Sequence, residues 1–226
     1  MTGVELLYRD PEILAVNKPS GMPVHRGWAR APFALVDLVR ELTGQNIIRP
    51  AHRLDQGTSG VVLFALDRET ARSLASMFEA GAAEKRYLAL VRGEAPEAIV
   101  VDHPIPRTEG GPRVPAVTEI RRLAVVEALP RAMSLVEARP RTGRLHQVRR
   151  HLKHIDHPVI GDANYGKGAL NREIAERYGL ERLALHAFSI AFVHPRTGKR
   201  IEISAPLPRD LSEPLATMGF EIEVTS

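Results

Sequence analysis

Residues 116–140 read AVTEIRRLAVVEALPRAMSLVEARP. The runs AVTEIRRLAVVE and MSLVEARP are rich in Val, Ile, Leu and Thr with only a few residues between them, so they read as two strands in direct succession. The same pattern recurs in LALHAFSIAFVHPRTGKRIEISAP (183–206), a hairpin turning at PRTG, and at the N-terminus, where ELLY and ILAVNK flank the Asp-Pro turn RDPE. Strands that follow strands with few helices between them make an α+β fold with a largely antiparallel, mixed sheet flanked by helices and loops.

Working outward, VVLFAL (61–66) and KRYLALVRG (85–93) add strands. Residues 33–42 carry Leu35, Leu38, Val39 and Leu42 at helical spacing, which predicts a first amphipathic helix. Asp67 is placed to cap a second helix through about Ala82, with Ala71, Leu74, Ala75 and Phe78 on its inner face. DHPIPRTEGGPRVP (102–115), with four prolines and two adjacent glycines, reads as a long loop without a core of its own.

A chain of 226 residues with 44% apolar content is long enough to bury a full core. No apolar run approaches the ~18 residues that cross a bilayer, and MTGVELLYRD lacks the basic and apolar regions of a signal peptide, so a cytoplasmic protein with no membrane partner is expected. The absence of cysteine rules out disulfides, thiol nucleophiles and Cys-ligated metal, leaving only His and carboxylate as metal ligands. Lys plus Arg total 31 against 27 Asp plus Glu, a formal +4. The charge is unevenly spread: RPRTGRLHQVRRHLKH (139–154) holds six cations and three histidines without an acid, whereas FEIEV near the C-terminus is acidic. The basic run is either a solvated helix face or a footprint for a phosphate backbone.

Within that run, Thr142 is expected to cap a helix whose Leu145, Val148, Leu152 and Ile155 form one apolar stripe. Arg150 then points into solvent and Arg149 sits at the stripe's edge. A guanidinium there either lays its stem on the core and snorkels outward or holds an anion. AHRLDQGTSG (51–60) poses a matching alternative: it sets Asp55 beside His52 and Arg53, ahead of Gly57, Gly60 and an apolar strand. It is either a plain turn or the seat of an active-site carboxylate.

Taken together, HRLDQGTSGVVLFA (52–65), KRYLALV (85–91) and RTGRLHQVRRHL (141–152) resemble, in order and approximate spacing, the three motifs of the RluA family of pseudouridine synthases. The likeness extends from ILAVNKPSG through HPVIGDANYG to the last hairpin. VHRGW (24–28) and GDANYGKGALNREIAERYGLERLALHA (161–187) are most similar to the branch of that family acting on uridine 65 of certain tRNAs. The resemblance implies one pseudouridine synthase catalytic domain over residues 1–226, without the N-terminal S4 domain many relatives carry. Its expected partner is then RNA, with tRNA the leading candidate, read by the domain's own surface, and no obligate protein partner is inferred.

The resemblance also implies the chemistry. The N1 glycosidic bond of uridine breaks, the base turns while held, and C5 rejoins the ribose, with nothing oxidised or hydrolysed, so no cofactor and no metal is needed. Asp55 matches the family's nucleophilic carboxylate, Tyr87 its active-site tyrosine, and Arg149 the arginine that pairs with the carboxylate and keeps it ionised. Whether Asp55 attacks ribose or base, or stabilises an ion pair, stays open. Arg53 matches the arginine that helps extrude the target nucleotide; Arg144 and Lys153 are candidate phosphate contacts, and His52 has no assigned chemical role. Three other readings compete: the same chemistry on large-subunit rRNA; a noncatalytic RNA-binding module, opposed by the presence of all three motif residues; and a metal-dependent RNA hydrolase using His151, His154 and His157 near Asp162.

Overall fold

The computed structural model of the chain describes residues 4–26, 33–45, 47–106, 110–128 and 130–221. Gly27 and Trp28 of VHRGW, residues 107–109 of the long loop and residues 222–224 of the acidic tail lie outside the described residues. In chain order the elements are β1 (Glu5–Arg9), β2 (Ile13–Lys18), α1 (Leu35–Thr43), β3 (Arg49–Pro50), β4 (Ser59–Ala65), α2 (Arg68–Glu79), β5 (Glu84–Arg92), β6 (Ala98–Asp102), β7 (Ile105–Pro106), β8 (Arg113–Val114), β9 (Val117–Val126), β10 (Met133–Pro140), α3 (Gln147–His154), α4 (Gly168–Tyr178), β11 (Leu185–Val193), β12 (Arg200–Ser204) and α5 (Arg209–Thr217). They group into two compact units, Met1–Lys85 with Ala187–Pro206 and Arg86–His186 with Leu207–Ser226. No helix among the described residues is long and apolar enough to cross a membrane.

The first unit orders its strands β1-β2-β4-β11, with β3 on β4 and β12 on β11; the pairs β1–β2, β2–β4, β3–β4 and β11–β12 are antiparallel. The RDPE turn closes because Asp10 Oδ1 accepts from the backbone N–H of Glu12 and of Ile13, at 2.8 and 2.6 Å. Asp67 caps α2 as its sequence position predicts, accepting from Thr70 N at 2.8 Å. Leu74 packs with Ile13, Val61, Leu63 and Phe192, flanked by Ala71 and Phe78, while Ala75 is exposed, so the buried face turns toward Thr70 and Met77. The inner face of α1 likewise turns to Leu35, Val36 and Val39, leaving Leu42 exposed.

The second unit orders its strands β5-β10-β9-β6, all antiparallel. Residues 116–140 supply its central pair, β9 and β10. Apolar residues of these strands pack against Val148 and Leu152 of α3, Ile174 of α4, and Leu211 and Leu215 of α5. The 102–115 segment is no bare loop: Ile105 pairs with Val114 and Pro106 with Arg113 in a small antiparallel ribbon, and Ile105 is buried. The strand β6 and the helices α4 and α5 had no counterpart in the periodicity reading.

Candidate active site

In the first unit the Asp55 turn is held from below by a buried cation. Lys18, at the end of β2, is fully buried, and its Nζ donates to the carbonyls of Pro19, Met22 and Gln56 at 2.9, 2.6 and 3.1 Å. Gly21 N donates to Gln56 O and Gln56 Nε2 to Gly21 O, both at 2.9 Å, and Ser20 Oγ donates to Gly57 O at 2.7 Å. The NKPSG stretch is therefore a clamp on the turn, a role that its apolar and polar patterning does not display. A lysine after a buried strand is the available signal, because a buried ammonium must be met by several acceptors.

The turn itself is closed by the bond from Thr58 N to Asp55 O at 3.0 Å. Asp55 is half-exposed and Arg53 exposed. His52 is a scaffold residue: its Nε2 accepts from Leu63 N at 3.1 Å and its ring lies 4.7 Å from that of Phe78. Burial, with Lys85 nearby, pushes the His52 pKa down to about 4, so the ring is neutral. Gly60 has φ +116°, and a Cβ there would fall 2.2 Å from Ala187 O, so only glycine lets these backbones approach.

The second unit holds Tyr87 on β5, opposite Ala138, with its side chain half-buried against the core. The basic helix differs from expectation at its start. Thr142 does not cap it; its hydroxyl donates to Gln147 Oε1 at 2.7 Å, and α3 begins only at Gln147, after His146 in the left-handed region at φ 53°. Gln147 also donates to Val117 O and Thr118 Oγ1, at 2.9 and 3.0 Å. The basic loop is thereby stitched to β9, and this tertiary bonding takes the place of a longer helix.

Arg149, expected at the stripe's edge, is buried and holds an anion rather than snorkelling outward: it forms a bidentate pair with Asp162, Nε to Oδ2 and Nη2 to Oδ1, both 2.8 Å. Burial pushes the Asp162 carboxyl upward, but the Arg149 bonds and the backbone N–H groups of Tyr165 and Asn164 outweigh it and hold the group below the usual carboxylate range. Arg150 does not point into solvent. Its Nε donates to Tyr165 Oη at 2.7 Å, and Tyr165, fifteen positions on, folds back over the helix face left open by periodicity.

Of the remaining cations, Arg139 meets the buried Glu137 at 2.8 Å and Arg141 meets Glu119, so part of the basic run answers acids on its own sheet. Arg144 is exposed, with Nε 3.3 Å from Pro115 O, and Lys153 is half-buried.

The three spaced histidines do not gather a metal. His151 spends both ring nitrogens, on Thr118 Oγ1 at 2.8 Å and His103 O at 2.9 Å; His154 stacks on His103; His157 Nδ1 meets Arg92 O at 2.8 Å. Among the described residues the one group at metal-ligand spacing is Asp10, Glu12 and His194. There His194 Nδ1 accepts from Arg196 N and Thr197 N, each at 3.2 Å, and the buried Nε2 lies 3.0 Å from Asp10 Oδ2 without a hydrogen bond.

Residues 12–154 match the family model described as RNA pseudouridylate synthase. The chain belongs to the RNA pseudouridylate synthase family. It is 41% identical over 237 residues to a "tRNA pseudouridine synthase C" of Salmonella typhimurium, covering 96% of this chain and 90% of the relative. It is 44% identical over 224 residues to a protein of the same name from Haemophilus ducreyi, covering 90% and 91%. Among solved structures, Human RNA Pseudouridylate Synthase Domain Containing 4 superimposes with a TM-score of 0.77 at 27% identity, covering 96% of this chain and 94% of that one. The pseudouridylate synthase assignment accounts for an α+β fold with antiparallel strand pairs and makes this chain an RNA-modifying isomerase.

Proposed function

We propose that this pseudouridine synthase isomerises one uridine of tRNA, at position 65, with Asp55 as the nucleophilic carboxylate. The observation that carries the tRNA reading is identity of 41% and 44%, over at least nine-tenths of both chains, to relatives named tRNA pseudouridine synthase C; the position comes from the motif resemblance. The reaction conserves atoms: the N1–C1′ bond breaks, the released uracil turns within the site, C5 bonds to C1′, C5 loses its proton and N1 gains one. The carboxylate of Asp55 takes up the developing electrophile, Tyr87 stacks on the base and supports proton movement, and Arg149 favours the charged carboxylate. Arg53 fills the space that the extruded nucleotide leaves, while Arg144 and Lys153 meet phosphates.

The exposed Arg53 and half-exposed Asp55, on a turn clamped by Lys18, support this reading. Mapping pseudouridine by carbodiimide-dependent reverse-transcription stops in a deletion strain tests it. Loss of one stop at tRNA position 65, restored by the wild-type gene, is the expected result; loss confined to large-subunit rRNA would overturn the substrate.

A further inference from the structure

Arg149 and Asp162 face each other inside the second unit with side-chain exposures of 9% and 0%. Asp162 cannot follow its partner if it moves, because Oδ1 also accepts from Asn164 N and Tyr165 N at 2.9 and 3.0 Å. The turn that carries it is fixed in its own right. Gly161 N donates to Asn171 Oδ1 at 3.0 Å, and Asn171 Nδ2 donates to Asp162 O at 3.1 Å. A Cβ on Gly161 would fall 1.9 Å from Arg182 O, and one on Gly166 would fall 2.4 Å from Asp162 O. The Tyr165 ring closes the arrangement, 5.1 Å from the Arg149 guanidinium carbon, with its hydroxyl tied to Arg150 Nε and His146 Nδ1 at the start of α3. A guanidinium is thus fixed in its plane by a carboxylate and across its face by an aromatic ring. Buried ion pairs contribute little net stability, whereas a fixed cation is what electrostatic preorganisation requires.

We propose that Asp162 is the positioning residue for Arg149, setting the orientation in which the guanidinium serves the reaction. The proposal rests on the reading that Arg149 takes part in that reaction. Asp162→Asn tests it: the amide oxygen still accepts from Asn164 and Tyr165, but its NH2 opposes the Arg149 Nε–H, so the guanidinium turns away. On one uridine-containing tRNA transcript, kcat should fall at least 30-fold while KM changes less than 3-fold, and the acidic limb of the pH–rate profile should move to higher pH.

The direction of that shift discriminates. Removing a negative charge by itself eases ionisation of the nucleophile and moves the limb down, so an upward shift requires a displaced Arg149. Asp162→Asn combined with Arg149→Ala should be no slower than Arg149→Ala alone, because Asp162 acts through that arginine. Should Asp162→Asn not fold, Asn171→Ala loosens the same turn with the ion pair retained, and should shift the limb upward by a smaller amount. A folded Asp162→Asn or Asn171→Ala variant with unchanged kcat, or with its limb moved down, overturns the proposal, whereas near-normal turnover of Arg149→Ala overturns the reading beneath it.

Discussion

Replacing Lys18 by Met probes the clamp beneath Asp55. The thioether fits the space of the lysine stem but donates nothing, so the carbonyls of Pro19 and Met22 lose their ammonium partner, while Gln56 O keeps the bond from Gly21 N. Pro19 is exposed and its carbonyl can turn to water, so the cost falls on the part-buried Met22 carbonyl, at up to about 1–3 kcal/mol. Release from burying an unscreened cation offsets part of this. A net loss of about 1–2 kcal/mol lowers the melting temperature of a chain this size by about 2–8 °C. Thermal melts read the stability, and single-turnover kinetics on a tRNA transcript read the turn: kcat should drop by more than tenfold as the Asp55 backbone loosens. A Lys18→Met protein with wild-type melting and wild-type kcat would refute the clamp.

Three other outcomes follow from the same geometry. Asp55→Asn should abolish measurable turnover while leaving tRNA affinity within a few-fold of wild type in filter binding, and retained turnover would remove its role as nucleophile. The affinity should fall steeply with salt, and Arg144→Ala and Lys153→Ala should each lower the slope of log K against log[salt] by about one unit if each meets a phosphate; a salt-independent constant would make the basic segment a solvated face. For His52, the folded-state pKa of about 4 lies below the ordinary 6.5, so the unfolded chain takes up a proton first as pH falls. Its contribution is complete above pH 6.5 and is lost between 6.5 and 4, at up to about 1.4 kcal/mol per pH unit; urea midpoints of wild type and His52→Gln should converge across that window, and parallel curves would contradict the burial argument.

The strands were legible because their residue types and the RDPE and PRTG turns are local signals, and the Asp67 cap is local too. What escaped depends on distant residues. The start of α3 was misplaced because Gln147 bonds to β9 and His146 adopts a left-handed conformation that a non-glycine residue does not advertise. Arg150 was turned outward because helical periodicity cannot see Tyr165 folding over it. A proline within α5 at Pro214 masks that helix from a pattern reading, although Leu211 and Leu215 on one face are buried. For the site, Asp55, Tyr87 and Arg149 are candidates through the motifs they belong to, whereas Asp162 and Lys18 gained roles only from the groups they bond.

The most direct test of the account is tritium release from tRNA labelled at C5 of uridine, run in EDTA with no added cofactor. Tritium should appear in water stoichiometrically with pseudouridine, the RNA should keep its mass apart from the exchanged label, and Asp55→Asn should release none. Free uracil among the products, or activity lost to EDTA and restored by a divalent metal, would contradict it.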